Sequence, residues 1–556
     1  MNSAFLSDGY KTGHHQQYPS GTTKVYSNYT PRSNKYAPKE CDKVIVFGTQ
    51  LMVRQLHEHF RDNFFKHNNR TELVKQEICQ EIKREISLYL NVDYDVTHFE
   101  KLWDLGYLPI EIKALEEGTL CPIKVPMLTI TNTLPEFYWI TNYLETIISN
   151  LIWKPMTSAS LAFQYKKILN KWVLKTDAKN IGFVDYQGHD FSMRGLDSID
   201  ATISSGLGHL TSFLGSDSLP TIYGARKYYD EQGFVACSVP ATEHSVLCAG
   251  GKESELETFR RLLNTYPKGV ISIVSDTWDL WNVCTNIVSE LKEEILSRDG
   301  KLVIRPDSGD PVDIICGELI PKFKTLDEAK NTFKDMLYDC TVHGEEQLTI
   351  DDWLIVCVDN IYYKLISDIE WNRYDKQYYF IETIEIEHKE VPYHPKYKGV
   401  IELLWNIFGG TINEQGYKVL DSHIGAIYGD SITLERAEHI CSRLEAKGFA
   451  STNIVLGIGS FTYQYNTRDS FGLAMKATYV EINGIGQEIF KDPITDDGVK
   501  KSAVGLLKVY EENGNILLKD KCSWDEEKEG LLIPIYVDGI YSNETTLTDI
   551  RKRLNG

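Results

Sequence analysis

Positive charge is what this chain is short of: 59 lysines and arginines stand against 79 aspartates and glutamates, a net charge of −20 at pH 7. A nucleic-acid polymer binds through a phosphate backbone that needs a basic surface, so this balance argues against such a partner. A small anionic substrate remains open, because a few local arginines outweigh an excess lying beyond a screening length of about 10 Å. Long apolar runs are missing as well, and Met1-Asn-Ser-Ala-Phe-Leu-Ser-Asp8 has no basic region ahead of an apolar core. We therefore expect no membrane span, no secretion and a cytoplasmic location. The eleven cysteines form no Cys-x-x-Cys and no His/Cys grouping at zinc spacing, which points to reduced thiols rather than a disulfide framework. There is no Walker A loop, no Gly-x-Ser-x-Gly elbow and no low-complexity segment. Gly457-Ile-Gly459 is an incomplete glycine fingerprint, too late in the chain to open a dinucleotide fold.

What is present is ordinary globular material, 42% apolar and 25% charged over 556 residues, enough for two or three domains. Its most telling stretch is Lys301-Leu-Val-Ile-Arg-Pro-Asp-Ser-Gly-Asp-Pro311. Leu302, Val303 and Ile304 predict a short, fully buried strand, which ends by presenting Arg305, Asp307, Ser308 and the backbone of Gly309. A cation, a carboxylate, a hydroxyl and a glycine on a rigid strand end suit a phosphate or Mg²⁺–phosphate ligand. The device recurs: apolar runs end in polar or glycine punctuation at Ile181–Arg194, Leu210–Asp217, Ala236–His244, Val270–Asp276, Leu302–Asp307, Ile424–Asp430 and Ile454–Ser460. Successive ends lie 23, 27, 32, 31, 123 and 30 residues apart. About 30 residues is one strand, loop and covering helix of a parallel α/β sheet or barrel. Between the runs, Glu253–Tyr266 and Thr433–Lys447 carry apolar residues at helical spacing. Functional groups of α/β barrels gather at the carboxyl ends of the strands, where Arg194, Asp217, His244, Asp276, Arg305, Asp307, Asp430 and Gly459 all fall.

The long interval contains a surplus that predicts an insertion at Gly317–Lys398. Its Tyr- and Ile-rich middle, Tyr362–Glu387, favours a small antiparallel sheet. We expect a surface module carrying none of the chemistry. The expected organisation is 1–150 as the first part of a mixed domain, 151–316 and 399–470 as the two parts of an α/β barrel, 317–398 as the insertion, and 471–556 as the end of the mixed domain.

Several motifs, in order along the chain, resemble the nicotinamide and nicotinate phosphoribosyltransferases. They are Asp8-Gly-Tyr-Lys11, Trp139–Thr146, Gly188-His-Asp-Phe-Ser-Met-Arg-Gly195, Ser238-Val-Pro-Ala-Thr-Glu-His-Ser245, Val274-Ser-Asp-Thr-Trp-Asp279, Ile304–Pro311, Tyr428-Gly-Asp430 and Phe490-Lys-Asp-Pro493. A short segment that longer relatives carry after about Tyr36 is absent. Asp351-Asp352 precede an apolar run, the wrong order for the type I phosphoribosyltransferase loop. The resemblance implies the type II fold, an irregular α/β barrel beside a mixed α+β domain built from both termini. It also implies a homodimer with active sites at the interface. The implied reaction joins nicotinamide to phosphoribosyl pyrophosphate (PRPP), giving the mononucleotide and pyrophosphate, with Mg²⁺ and ATP as co-substrate.

By resemblance, Phe191 stacks on one face of the nicotinamide ring, Tyr10 of the other subunit stacks on the other face, and Asp217 accepts from the amide. Asp217 in Gly215-Ser-Asp-Ser equally fits a turn or a cap. Arg194 and Arg305 fall to the pyrophosphate end. Arg468, Lys476, Gly459 and Ser460 fall to the 5′-phosphate, with Arg32 and Lys491 as further phosphate contacts. Asp276, Asp307, Gly429 and Asp430 handle ribose hydroxyls. No metal ligand is fixed: Mg²⁺ comes through the phosphates, with Asp276 or Asp307 as protein candidates. His244, preceded by Glu243, is the implied acceptor of the γ-phosphate of ATP, oriented by a carboxylate for which Asp276 is the candidate. Two departures weaken the phosphate grip: Ser460 replaces a glycine, and Ala474 replaces a serine whose hydroxyl is worth about 1 kcal/mol. Three alternatives stay open: nicotinate as substrate, a catalytically dead binding protein on this scaffold, and a barrel hydrolase using paired acids.

Overall fold

The computed structural model describes residues 1–39, 41–342, 353–372, 377–389, 394–429, 431–491 and 502–555. Asp430 lies outside the described residues, as do Asp351, Asp352, Asp492 and Pro493.

Six strands form one parallel sheet in the order Gly215–Ser216, Gly188–Asp190, Ile454–Ile458, Ile424–Tyr428, Asp299–Arg305, Lys268–Val274. The sheet curls into a barrel closed by Cys237–Ala241, which bridges Gly215 on one side and Ser272 on the other. The apolar runs thus mark the strand positions, but their lengths differ from expectation. Ile181–Arg194 opens as two helical turns and leaves only Gly188–Asp190 in the sheet, and Ala236–His244 makes isolated bridges rather than a strand. Val303 corrects another expectation: Leu302 and Ile304 are fully buried, but Val303 faces the central cavity and is only partly covered.

Helices cover the barrel through apolar stripes. In Leu434–Ala446, Thr433 caps the first turn by accepting from the Arg436 N–H, and Ala437, Ile440, Cys441 and Leu444 are buried. Each fully buried Ile or Leu contributes about 1.5–3 kcal/mol. The helix Glu145–Thr176 serves two cores: Ile147, Ile148, Ile152 and Met156 belong to one, Ala162, Tyr165, Leu169 and Trp172 to the other. The first of these cores underlies a seven-stranded sheet with both ends of the chain in it. Thr22–Pro31 pairs antiparallel with Leu473–Ile482 and Leu128–Asn132, and Ile110–Ala114 pairs with Ile533–Val537.

Within the insertion, Trp353–Val358, Ile361–Asn372 and Gln377–Lys389 form an antiparallel sheet, joined by a short parallel strand Lys322–Phe323. Its attachment is narrow. A Cβ added to Gly399 would stand 2.2 Å from the Gly317 nitrogen, and one on Gly317 2.3 Å from the Tyr397 carbonyl oxygen. Both glycines have positive φ, so this close approach of exit and re-entry needs residues without side chains. Among the described residues, no helix is long and apolar enough to cross a membrane.

Candidate active site

A cavity of about 250 Å³ runs through the barrel, with Phe191, Asp217, Ser238 and Arg305 at the carboxyl ends of the strands and Tyr186, Lys301 and Asn453 towards the other end. Asp190 is fully buried; its carboxylate accepts from the Ser192 N–H at 2.9 Å and the Ser216 hydroxyl at 3.2 Å, which pins the turn carrying Phe191 and Arg194. Asp217 sits just beyond its two-residue strand and makes no helix cap; its N–H donates to Asp190 O. Its Oδ1 accepts from the Ser238 hydroxyl and contacts His189 Nε2 at 2.9 Å. Burial raises the Asp217 pKa, but the hydrogen bonds from His189 and Ser238 outweigh it and hold the group below its ordinary value. Sequence reasoning missed His189 and Ser238. The available signal was strand alternation, which puts residues 189 and 191 on one face; their rings lie 4.6 Å apart.

Arg305 lines the same cavity. Its Nη2 donates to Thr242 O, while its Nε is buried with no partner among the described residues. Burial lowers its pKa, against the opposing pull of Asp307, Asp217 and Asp276. Asp276 Oδ2 accepts from the Asp307 N–H at 2.8 Å and the Ser308 hydroxyl at 2.6 Å, and its Oδ1 is likewise buried and unpaired. A donor and an acceptor left without protein partners at neighbouring strand ends are groups that a ligand could satisfy. Gly429 adjoins Asp307: a Cβ there would stand 2.3 Å from Asp307 Oδ1, so any side chain would displace that carboxylate. Gly459 and Ser460 open a five-residue helix beside Arg194, with Ser460 Oγ packed on Gly195.

His244 begins the helix His244–Gly250 and is half-exposed. Its Nδ1 meets the Thr277 hydroxyl at 3.1 Å and its Nε2 faces Asp307 Oδ2 at 3.8 Å. This corrects the expected orienting carboxylate: Asp276 Oδ2 bonds the Asp307 loop and makes no bond to the imidazole, and the partner of Nδ1 is a hydroxyl. Glu243 accepts from the Ser245 hydroxyl instead of touching the imidazole.

The remaining candidates assemble elsewhere. Lys476 is half-buried on the seven-stranded sheet; burial lowers its pKa, Glu145 opposes this, and the nearby charges of Arg32, Lys491 and Arg468 lower it further. Arg32 donates to Gly472 O at 3.0 Å, and Arg32 and Lys476 line a second cavity of about 250 Å³ with Asn28, Lys124 and Ser502. Tyr10 lines neither cavity and is 67% exposed. It rides on a braced turn: the buried Lys11 ammonium bonds Glu145 at 2.7 Å and Asn142 O at 2.9 Å, and Asp8 accepts from Thr146 at 2.6 Å. Among the described residues, no group of three or more His, Cys, Asp or Glu side chains could hold a metal.

The sequence matches the nicotinate phosphoribosyltransferase (NAPRTase) family over residues 186–353 and 387–529, and the N-terminal domain of nicotinamide phosphoribosyltransferase over residues 2–82. It is 44% identical over 566 aligned residues to a nicotinamide phosphoribosyltransferase of Acinetobacter baylyi, covering 100% of this chain and 97% of that protein. A Mycoplasma pneumoniae protein of the same description is 30% identical, with 90% of this chain and 96% of that protein covered. The crystal structure of human nicotinic acid phosphoribosyltransferase superposes with a TM-score of 0.49 at 13% identity, over 99% of this chain and 93% of that one.

Proposed function

The chain belongs to the nicotinate phosphoribosyltransferase family, and on that premise we propose that it transfers the phosphoribosyl group of PRPP to nicotinamide. The observation that carries this reading is one cavity, at the carboxyl ends of parallel strands, that joins an aromatic face (Phe191), an amide acceptor (Asp217) and a buried guanidinium (Arg305). The ring nitrogen attacks C1′ of PRPP, and pyrophosphate departs with the electron pair of the broken C–O bond. No proton moves, so the protein needs no general base; its work is alignment and charge. Phe191 holds the ring flat, and Asp217 Oδ2, which has no partner among the described residues, is left to accept from the amide. Asp276 and Asp307 support the cationic sugar, while Arg305 and Arg194 draw off the leaving charge. Asp217 also decides between the two pyridine substrates, because a carboxylate held ionised repels nicotinate.

Mg²⁺ belongs to this reading. The unpaired Asp276 Oδ1 and neighbouring Asp307 suit an ion that takes one or two carboxylates and otherwise phosphate oxygens, and when bound it neutralises the pyrophosphate. ATP enters through His244: Thr277 engages Nδ1, and Nε2, which faces Asp307 at 3.8 Å, forms the N–P bond as ADP departs. The phosphoryl group would then add charge beside Asp307, which would strengthen the hold of these residues on Mg²⁺ with pyrophosphate.

A homodimer is part of the same proposal, and the separation of the two residue groups supports it. Tyr10, Arg468, Lys476, Arg32 and Lys491 make their contacts away from the barrel cavity, and in this reading the exposed Tyr10, on its braced turn, reaches the cavity of a second copy. The cytoplasmic location expected from the sequence is part of the same reading. The test is to incubate the protein with nicotinamide, PRPP and Mg²⁺, with and without ATP, and look for mononucleotide; none in either case overturns it. For the dimer, inactive Asp217→Ala and Lys476→Ala chains are mixed and reassociated. Sites shared between subunits return about a quarter of full activity, since half the dimers carry one intact site; no recovery removes the shared site.

A further inference from the structure

Arg551 lies on the helix Leu547–Asn555, whose Leu547, Ile550 and Leu554 are buried in an apolar cluster with Leu207, Leu210 and Val235. Among the described residues it forms no ion pair. Its Nε donates to Leu210 O at 2.6 Å and its Nη2 to Val235 O at 2.7 Å. Burial pushes its pKa down to about 10, with Glu231 and Asp185 pulling the other way. A guanidinium that gives up solvent for two backbone carbonyls is costly unless those carbonyls need holding.

The two carbonyls head the two segments that end in the amide pocket. From Leu210 the chain runs through Gly215–Ser216 to Asp217; from Val235 it runs to Cys237 and Ser238. Only two close backbone hydrogen bonds lace them, Cys237 N–H to Leu214 O at 2.8 Å and Ser216 N–H to Cys237 O at 3.0 Å. So short a ladder does not fix its own register. At its end Ser238 donates to Asp217 Oδ1, which with His189 aims the carboxylate.

We propose that Arg551 is a positioning residue for the nicotinamide pocket: its fork sets the spacing of the 210–217 and 235–238 segments and thereby the Ser238–Asp217 contact. This rests on the phosphoribosyl-transfer reading above. The fork is planar and reaches both carbonyls at once, which an ammonium on the same helix does not. Among the described residues, the strands that end at Arg305 and Gly429 make no hydrogen bond with Arg551, whose two hydrogen bonds go to Leu210 and Val235.

The test compares Arg551→Met and Arg551→Lys with Thr548→Val, which removes the hydroxyl bond from the same helix to Glu231. We expect Arg551→Met to raise KM for nicotinamide by about tenfold, to leave KM for PRPP within about twofold, and to be partly rescued by low-millimolar guanidinium chloride. Arg551→Lys should fall between, and it carries the comparison if the methionine variant does not fold. Thr548→Val should match the unmodified protein. Hydrogen exchange without substrates reads the strap directly: the Ser216 and Cys237 amides should exchange faster in Arg551→Met, while those of Ile304 and Leu456 stay protected. Unchanged kinetics and exchange overturn the proposal. So does a joint rise of both KM values with exchange loosened everywhere, which is the signature of general packing. An unmodified protein that makes no mononucleotide sinks the reaction assignment, yet the exchange comparison still decides whether Arg551 straps the two segments.

Discussion

Replacing Asp217 by Asn inverts the polarity of one atom at the point where the two pyridine substrates differ. The Asn oxygen can take over the contacts of His189 and Ser238 at Oδ1, so the local packing is kept. Its nitrogen then stands where Asp217 Oδ2 pointed, a donor in place of an acceptor. Two like charges about 4 Å apart repel by about 4 kcal/mol at an effective dielectric of 20. Arg305 faces the same cavity and offsets part of this, so we take about 2 kcal/mol. Loss of the charged hydrogen bond from the nicotinamide amide adds about 2 kcal/mol. Together these amount to about three orders of magnitude in selectivity. The assay is kcat/KM for nicotinamide and for nicotinate at saturating PRPP, in the unmodified protein and in Asp217→Asn. The ratio should fall by about 10²–10³, shared about equally between gained nicotinate turnover and lost nicotinamide turnover. A folded Asp217→Asn protein whose ratio moves less than about tenfold would refute the role given to this carboxylate.

Replacing residues 318–396 with a short linker should leave a folded, active protein, because exit and re-entry already touch at Gly317 and Gly399; a soluble deletion protein without activity shows that the module completes the site. His244→Ala should abolish ATP consumption coupled to PRPP and the stimulation by ATP, while slow ATP-independent synthesis persists; the label on the unmodified protein should be acid-labile and base-stable. ATP hydrolysis still in step with product in that variant removes His244 from the coupling. The stacked His15 and His98 rings lie 3.7 Å apart, and burial, with the charge of His15, lowers the His98 pKa to about 3. A histidine whose folded pKa lies below its unfolded value contributes its full stability above pH about 6.5 and loses it as pH falls, so about 2 kcal/mol goes by pH 5. Melting temperature should therefore drop between pH 7 and 5, and His98→Gln should flatten that slope; an equal slope in both proteins rules the pair out.

The longer barrel strands were legible because they are continuous apolar runs, and Ile271, Ile273, Leu302, Ile304, Leu456 and Ile458 are all buried as such runs require. At Gly188–Asp190, Gly215–Ser216 and Cys237–Ala241 the apolar runs marked the place of the segment but not its length. Two or three residues make no periodicity, and their pairing is imposed by closure of the barrel. The same distinction holds for the site. Asp217, Asp276, Arg305 and Asp307 end strands and stand out in sequence, whereas Thr277 as partner of His244, and Ser238 as partner of Asp217, exist only through tertiary contact. Arg551 was invisible for a further reason. It recognises backbone carbonyls, which every residue carries.

The neck at Gly317 and Gly399 bears on how fast the barrel folds. Leu302 and Ile424 are register partners in neighbouring strands, yet the insertion lies between them in the chain. Closing a loop that long costs entropy growing with the logarithm of its length, and non-local pairing slows folding. Once the inserted sheet forms and draws its ends together, roughly eighty residues drop out of the loop the barrel must close. The insertion then folds as a local unit whose completion turns a distant pairing into a near one, and a sequence change that melts it would slow assembly of the barrel.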